Sequence, residues 1–375
     1  MVQTFRNAWK IPELRRKILF TLFIVLLYRL GNAVPVPYVD TNILATYFAQ
    51  LKNTVLGLYN TMSGGAFSMA TIFALSIQPY INASIIIQLL CIAIPALERL
   101  SKEGGEEGKK KIAAITRYAT VAIGLLQAFG YYMLCRSQNF LTDTGVWPAI
   151  VVILVFTAGS AFTMWLGEQI TEFGIGNGIS VILFAGIISR VPTAVFALYT
   201  GIYNWVTGAT GTNALRIHPV GAVGIVLGML ALVVFIVFIT NAERRIPVQY
   251  AKRVVGRKMY GGQSSHIPIK VNMSGVLPII FAQTIASIPA TIGMFVPSAT
   301  QEGSGWNTFL NIFDNTGLIY SIVYFLLIIM FSYFYSTIQF NPVEVANNLK
   351  KNGGFIPGFR PGKPTADFLH KVISR

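Results

Sequence analysis

The sequence predicts an all-α polytopic membrane protein. Three observations carry that expectation: an apolar content too high for a soluble domain, apolar runs of span length recurring along the chain, and basic residues concentrated in alternate loops. Of 375 residues 54% are hydrophobic and only 11% charged, outside the range of a soluble domain of this size. A bilayer core of about 30 Å needs roughly 20 apolar residues per helical span. Eight transmembrane helices are expected, at about 18–36, 70–97, 113–135, 147–168, 174–196, 219–240, 273–296 and 317–339.

The first run follows Arg15, Arg16 and Lys17. It reads as a retained helix and not a cleaved signal peptide, because no small-residue cleavage site follows it and seven more spans do. Orientation comes from the lysines and arginines. With a cytosolic N-terminus, the cytosolic segments are the N-terminus, 98–117, 168–173, 241–272 and 340–375, which hold 24 of the 29 basic residues. The others are Arg29, Lys52, Arg136, Arg190 and Arg216. The net charge of +15 is therefore mostly topogenic. An acidic partner at the cytosolic face is compatible with it. Arg29 lies near the outer end of its span, where snorkelling to the interface accounts for it. Cys91 and Cys135 cannot make a disulfide framework and read as small packing residues near opposite faces.

The second run departs from a plain span. Ser63, Gly64, Gly65, Ala66, Phe67, Ser68 and Met69 lead into apolar residues interrupted by Gln78, Pro79 and Asn82. Glycines at its start and a proline inside predict a broken helix: a short segment entering the bilayer, a kink, then a full helix. Such backbone is tolerated at membrane depth only where it lines a cavity or is buried in protein, so a cavity is implied near 62–80. One long tilted helix with a proline kink is the alternative. The basic segment 241–272 shows no apolar periodicity and reads as a long functional or disordered loop. The glycines and prolines of 341–375 predict a stiff, turned cytosolic excursion.

Catalysis and ion coupling lack their residues. None of the fourteen acids lies in the middle of an expected span, where an ion-coupled transporter holds a carboxylate. His218, His266 and His370 fall in loops or at a span edge, away from any serine or metal chemistry at bilayer depth. No cofactor or metal is expected, and the chain reads as no enzyme. A passive channel is the leading expectation; a small-solute secondary transporter and an intramembrane enzyme are the competitors.

Several ordered stretches resemble the SecY subunit of the bacterial Sec translocon. They are Gly64-Gly65, Gln78-Pro79-Tyr80-Ile81, Ser84-Ile85-Ile86-Ile87-Gln88, Trp165-Leu-Gly-Glu-Gln-Ile-Thr-Glu172 and Gly174-Ile-Gly-Asn-Gly-Ile-Ser180. Further on come Tyr250-Ala-Lys-Arg253, Lys270-Val-Asn-Met273, Phe340-Asn-Pro342, Asn348-Leu-Lys-Lys351 and Pro357-Gly-Phe-Arg-Pro-Gly362. The resemblance implies an hourglass channel for unfolded chains, built from two inverted pseudo-symmetric halves of five helices each. Here the halves would be 1–205 (the first five helices) and 206–375. The second half would hold only the sixth to eighth helices with the basic loops 241–272 and 340–375, short of the family's ninth and tenth.

What the resemblance implies residue by residue is a pore ring of Ile77, Ile81, Ile179, Leu183 and Ile280, with Leu183 standing where the family commonly has isoleucine. The spacing agrees with this, since Ile77/Ile81 and Ile179/Leu183 are each one helical turn apart. Periodicity alone equally allows lipid-facing or packing roles. A plug would lie at 60–70, as a short helix containing Ser63, Gly64, Gly65, Ala66, Phe67 and Ser68. The lateral gate would run between spans two–three and seven–eight, with Asn82, Gln88, Gln127, Gln283 and Thr284 bridging it by hydrogen bonds of about 1 kcal/mol each. Lys252, Arg253, Arg257, Lys258 and Arg360 would dock the ribosome and the SecA motor. Further partners implied are the small membrane subunits SecE and SecG, secretory and membrane-protein substrates, and the lipid of the bacterial cytoplasmic (inner) membrane.

Overall fold

The computed structural model describes residues 9–50, 60–102, 104–207, 216–250, 253–255, 258–260, 264–273, 275–286, 318–339 and 341–373. Packing divides the chain into two compact units, Met1–Tyr199 with Ala286–Ser321, and Thr200–Ile285 with Ile322–Arg375.

The first unit opens with α1 (Pro12–Gly31) and α2 (Thr41–Gln50), followed after the 60–77 segment by α3 (Gln78–Ala93) and α4 (Pro95–Lys102). It continues with α5 (Gly105–Ser137), α6 (Val146–Phe173), α7 (Gly178–Ile188) and α8 (Val191–Val206), which runs into the second unit. Proline begins α1 and α3, where its missing N–H costs nothing and its fixed φ suits the first turn. Asn177 caps α7, its side chain accepting from the N–H groups of Ile179 (3.0 Å) and Ser180 (3.3 Å). α5 packs on α3 and α6, and α6 carries α1 and α7. Val36, Leu44, Phe48, Phe67, Tyr131, Val152 and Phe156 belong to one buried cluster.

Among the described residues, five helical stretches are long and apolar enough to cross a membrane: Gly105–Ser137, Val146–Phe173, Gly178–Val206, Pro219–Asn241 and Ile319–Ser336. The other three expected spans look different. α1 has 20 residues but carries Glu13, Arg15, Arg16 and Lys17 at its start. α3 has 16 residues, and the seventh expected span is described only as α10 (Leu277–Ala286).

The second run is interrupted and not one long kinked helix, but the proline does not make the break. Residues 63–77 are a chain of turns, and Pro79 stands in the first turn of α3, so it starts a helix and does not bend one. The expected short plug helix is corrected: helix covers only 60–62 of that segment among the described residues.

In the second unit, α9 (Pro219–Asn241) leads into β1 (Glu243–Tyr250), β2 (Arg253–Val255), β3 (Lys258–Tyr260) and β4 (Ser264–Lys270). After α10 come α11 (Leu318–Gln339), α12 (Pro342–Lys351), β5 (Gly354–Phe355) and α13 (Lys363–Ile373). β1 pairs antiparallel with β4 from Glu243↔Lys270 to Gln249↔Ser264, and β5 adds to β1 through Gln249↔Phe355. This corrects the loop expected at 241–272 and adds strands to a mainly helical protein. Ile246, Val248 and Ile269 alternate inward and join Leu349, Ile356 and Leu369 in a small core. The two basic excursions are thus one body. Pro247 and Pro268 within the strands hid the period-two pattern from a reader of sequence.

Candidate functional site

The expected ring residues are partly brought together in the first unit. Ile77 precedes the first turn of α3 and has 0% of its surface exposed; Ile81, one turn later, is 7% exposed. Neither faces lipid. Close to Ile77 comes the start of α7, which crosses α6 at two glycines. A Cβ on Gly178 would collide with the Gly167 carbonyl oxygen, so the backbones touch there. That approach puts Ile179 Cγ1 and Ile77 Cδ1 each 3.4 Å from where a Gly167 side chain would begin, with Ile182 Cδ1 at 3.5 Å. Ile182 is fully buried, belongs to this apolar knot and was not anticipated. Leu183 on α7 and Ile280 on α10 are partly buried, the latter in the second unit.

Next to the knot, the turns of 60–77 are fastened by side chains from around them. Gly64 and Gly65 take φ of +69° and +96°, and Ala70 and Ser76 also have positive φ. Backbone in such turns cannot satisfy itself, so other groups must. Tyr131 donates its hydroxyl to the Phe67 carbonyl at 2.6 Å, and Thr163 donates to the Ser76 carbonyl at 3.1 Å. The Val36 N–H bonds the Ala70 carbonyl (2.8 Å), and the Ile72 N–H bonds the Val34 carbonyl (3.0 Å). Ser63 Oγ accepts from the Phe67 N–H and donates to the Asn60 carbonyl, both at 3.1 Å. Ser68 Oγ donates to the Gly65 carbonyl at 3.0 Å, and Ala66 is buried.

Phe67 is the apolar anchor of this segment. Its ring meets Phe48 at 5.2 Å and Tyr131 at 4.7 Å edge-to-face, and Tyr131 meets Phe156 at 4.8 Å. Tyr131 and Thr163 were missed because each is an ordinary residue of an apolar helix until the turn segment lies against it. Arg29 is partly buried, and its Nη1 is enclosed without a hydrogen-bond partner where the end of α1 lies under Gly64.

Of the expected gate residues, Asn82 is buried and Gln127 partly buried, while Gln88 is exposed and donates from Nε2 to Ser84 Oγ at 3.3 Å. Gln283 is partly buried on α10; Thr284 lies in the same helix, its side chain outside the described residues. Lys252 and Arg257 also fall outside the described residues, and Arg253 and Lys258 are described only as backbone of β2 and β3. Arg360 is exposed, its carbonyl accepting from Thr365 Oγ1 at 2.8 Å. Within the tryptophan-led motif, Glu168 is paired with Arg117 Nε at 2.8 Å.

Comparison with known proteins gives a consistent result. The protein-family model described as SecY matches residues 71–375. The protein translocase subunit SecY of Streptomyces scabiei is 43% identical over 389 residues, covering 100% of this chain and 85% of that relative. That of Mycobacterium tuberculosis is 42% identical over 392 residues, with the same shares. Among solved structures, a protein conducting channel superposes with a TM-score of 0.61 at 16% identity, over 96% of this chain and 81% of that one. Sec61 in the canine ribosome-channel complex from the endoplasmic reticulum gives 0.59 at 15%, over the same shares. At those identities the structural likeness is one of fold. With a family match over most of its length and relatives this similar along all of it, the chain belongs to the SecY family.

Proposed function

We propose that this chain is the channel subunit of a protein translocase, passing unfolded polypeptides across the membrane and releasing hydrophobic segments sideways into it. The observation that carries the reading is the apolar knot of Ile77, Ile179 and Ile182 around Gly167, next to a non-helical, side-chain-fastened segment, in a SecY-family chain. Branched aliphatic side chains offer a passing chain no hydrogen bonds, so a ring of them fits many sequences and resists wetting when empty. Leu183 and Ile280 complete the ring, and residues 63–68 are its plug. Asn82, Gln88, Gln127, Gln283 and Thr284 hold the lateral gate. The two halves, 1–205 and 206–375, part to open it.

The membrane is the bacterial cytoplasmic one, with the N-terminus and the basic β1–β4 body on the cytosolic side. That body and Arg360 dock the ribosome and the SecA motor, which supply the energy; SecE and SecG are the small membrane partners. Arginine and lysine suit both RNA phosphates and an acidic motor surface, so this docking weakens with salt. The small-solute transporter reading gains no support from relatives that are protein translocase subunits.

Replacing Ile81 and Ile179 by glycine in the reconstituted translocase tests the ring. Raised ion leak or altered precursor translocation is expected; wild-type values of both would remove these residues from the pore. For docking, Arg257→Glu and Arg360→Glu are measured for ribosome and motor binding across a salt series. Unchanged affinity rejects them as contacts.

A further inference from the structure

Two arginines converge on the plug segment without a carboxylate between them. Arg29 comes from the last turn of α1, and Arg190 from the break between α7 and α8. Each lies over one of two consecutive glycines. A Cβ on Gly64 would sit 2.9 Å from Arg29 Nη1, and one on Gly65 would sit 3.0 Å from Arg190 Nη2. Ser189 Oγ and the Gly186 carbonyl close the same corner, at 2.7 and 2.8 Å from the Gly64 position. The two guanidiniums thus lie over neighbouring residues of one turn.

Their bonding is unequal. Arg190 Nη2 donates to the Asn60 carbonyl at 3.3 Å, an oxygen that also takes the Gly65 N–H (2.8 Å) and Ser63 Oγ (3.1 Å). Arg190 Nε and Arg29 Nη1 are enclosed with no hydrogen-bond partner. Among the described residues neither arginine has an acidic partner. A guanidinium nitrogen enclosed without a partner costs stability, and two neighbouring charges of like sign add their repulsion. Undocking of 60–66 would rehydrate both guanidiniums and let them separate. The docked state therefore contains one charge-assisted bond that holds and one neighbouring charge that opposes it.

We propose that Arg190 is the positioning residue of the plug, fastening it through the Asn60 carbonyl, and that Arg29 beside it sets how readily that fastening lets go. This rests on the reading of 63–68 as the plug. It assigns the two arginines opposite effects, which a shared packing role would not produce.

The experiment measures resting ion conductance of the complete reconstituted translocase at low and at high salt. Arg190→Gln removes the holding bond and raises conductance about tenfold, the change expected for losing one hydrogen bond of a charged group. Arg190→Lys keeps the charge and a donor and restores the seal. Arg29→Gln removes the opposing charge; its resting conductance stays at or below wild type, precursor-driven opening slows, and the salt dependence of the seal shrinks. Wild-type conductance in Arg190→Gln overturns the proposal. So does equal leakage in the Arg190→Gln and Arg29→Gln variants. Precursor translocation by the unaltered complex and the Ile81→Gly leak are read in the same bilayers, so failure of the channel reading appears there and failure of the fastening appears only in the arginine series.

Discussion

The segment 60–77 in the first unit and the β1–β4 hairpin in the second are both non-helical stretches between helices, and they solve the same problem in opposite ways. The hairpin satisfies its backbone internally, by a ladder from Glu243↔Lys270 to Gln249↔Ser264, and buries Ile246, Val248 and Ile269 against its own neighbourhood. The 60–77 turns instead borrow donors from elsewhere in the chain: Tyr131, Thr163 and Arg190 each bond a carbonyl of that segment or its leading turn. A loop in water falls back on solvent when its bonds break. At membrane depth that fallback is lost, so partners must be placed by the surrounding helices. The contrast explains why one region is a self-contained body while the other is only as ordered as its helix neighbours allow.

The strongest way to break the contrast is to remove the apolar anchor of the borrowed-donor segment. Phe67→Ala leaves a void among Phe48, Tyr131 and Phe156 and is expected to destabilise the docked turns by about 3–5 kcal/mol. Hydrogen exchange of 60–77 rises while that of 243–270 does not. If both regions loosen together, they are not independent. The reciprocal change is Leu369→Ala in the small core, where the side chain has 0% exposure. A loss of about 2–5 kcal/mol is expected, read as faster exchange in 243–270 with resting ion conductance unchanged.

Smaller changes sharpen the comparison. Tyr131→Phe keeps the aromatic stack but leaves the Phe67 carbonyl without its 2.6 Å donor. A buried acceptor left without a partner costs about 1–3 kcal/mol, so exchange in 60–77 rises less than in Phe67→Ala. A wild-type result would mean that water reaches that carbonyl. At the small end, Arg245→Gln breaks only the exposed pair with Glu243 (2.7 Å) and is expected to change stability by less than about 1 kcal/mol in thermal unfolding. A larger loss would show that the hairpin depends on charge pairing as well as on its ladder.

Sequence by itself determined the class, the family and most of the helix positions, because span length and apolar content are local quantities that any 20-residue window reports. It also singled out Ser63–Ser68 as special and gave Ile77 and Ile179 the same role, through motif resemblance. Tertiary structure decided what those residues touch. That Pro79 begins a helix instead of bending one depends on where residues 63–77 find their bonds, which are supplied from as far along the chain as Thr163 and Arg190. That Arg29 is enclosed depends on Gly64 lying over it. That β1 and β4 pair depends on Leu349, Ile356 and Leu369 covering one face of these strands. Each is a contact between residues distant in sequence, and a pattern read along the chain holds no information about distance across it.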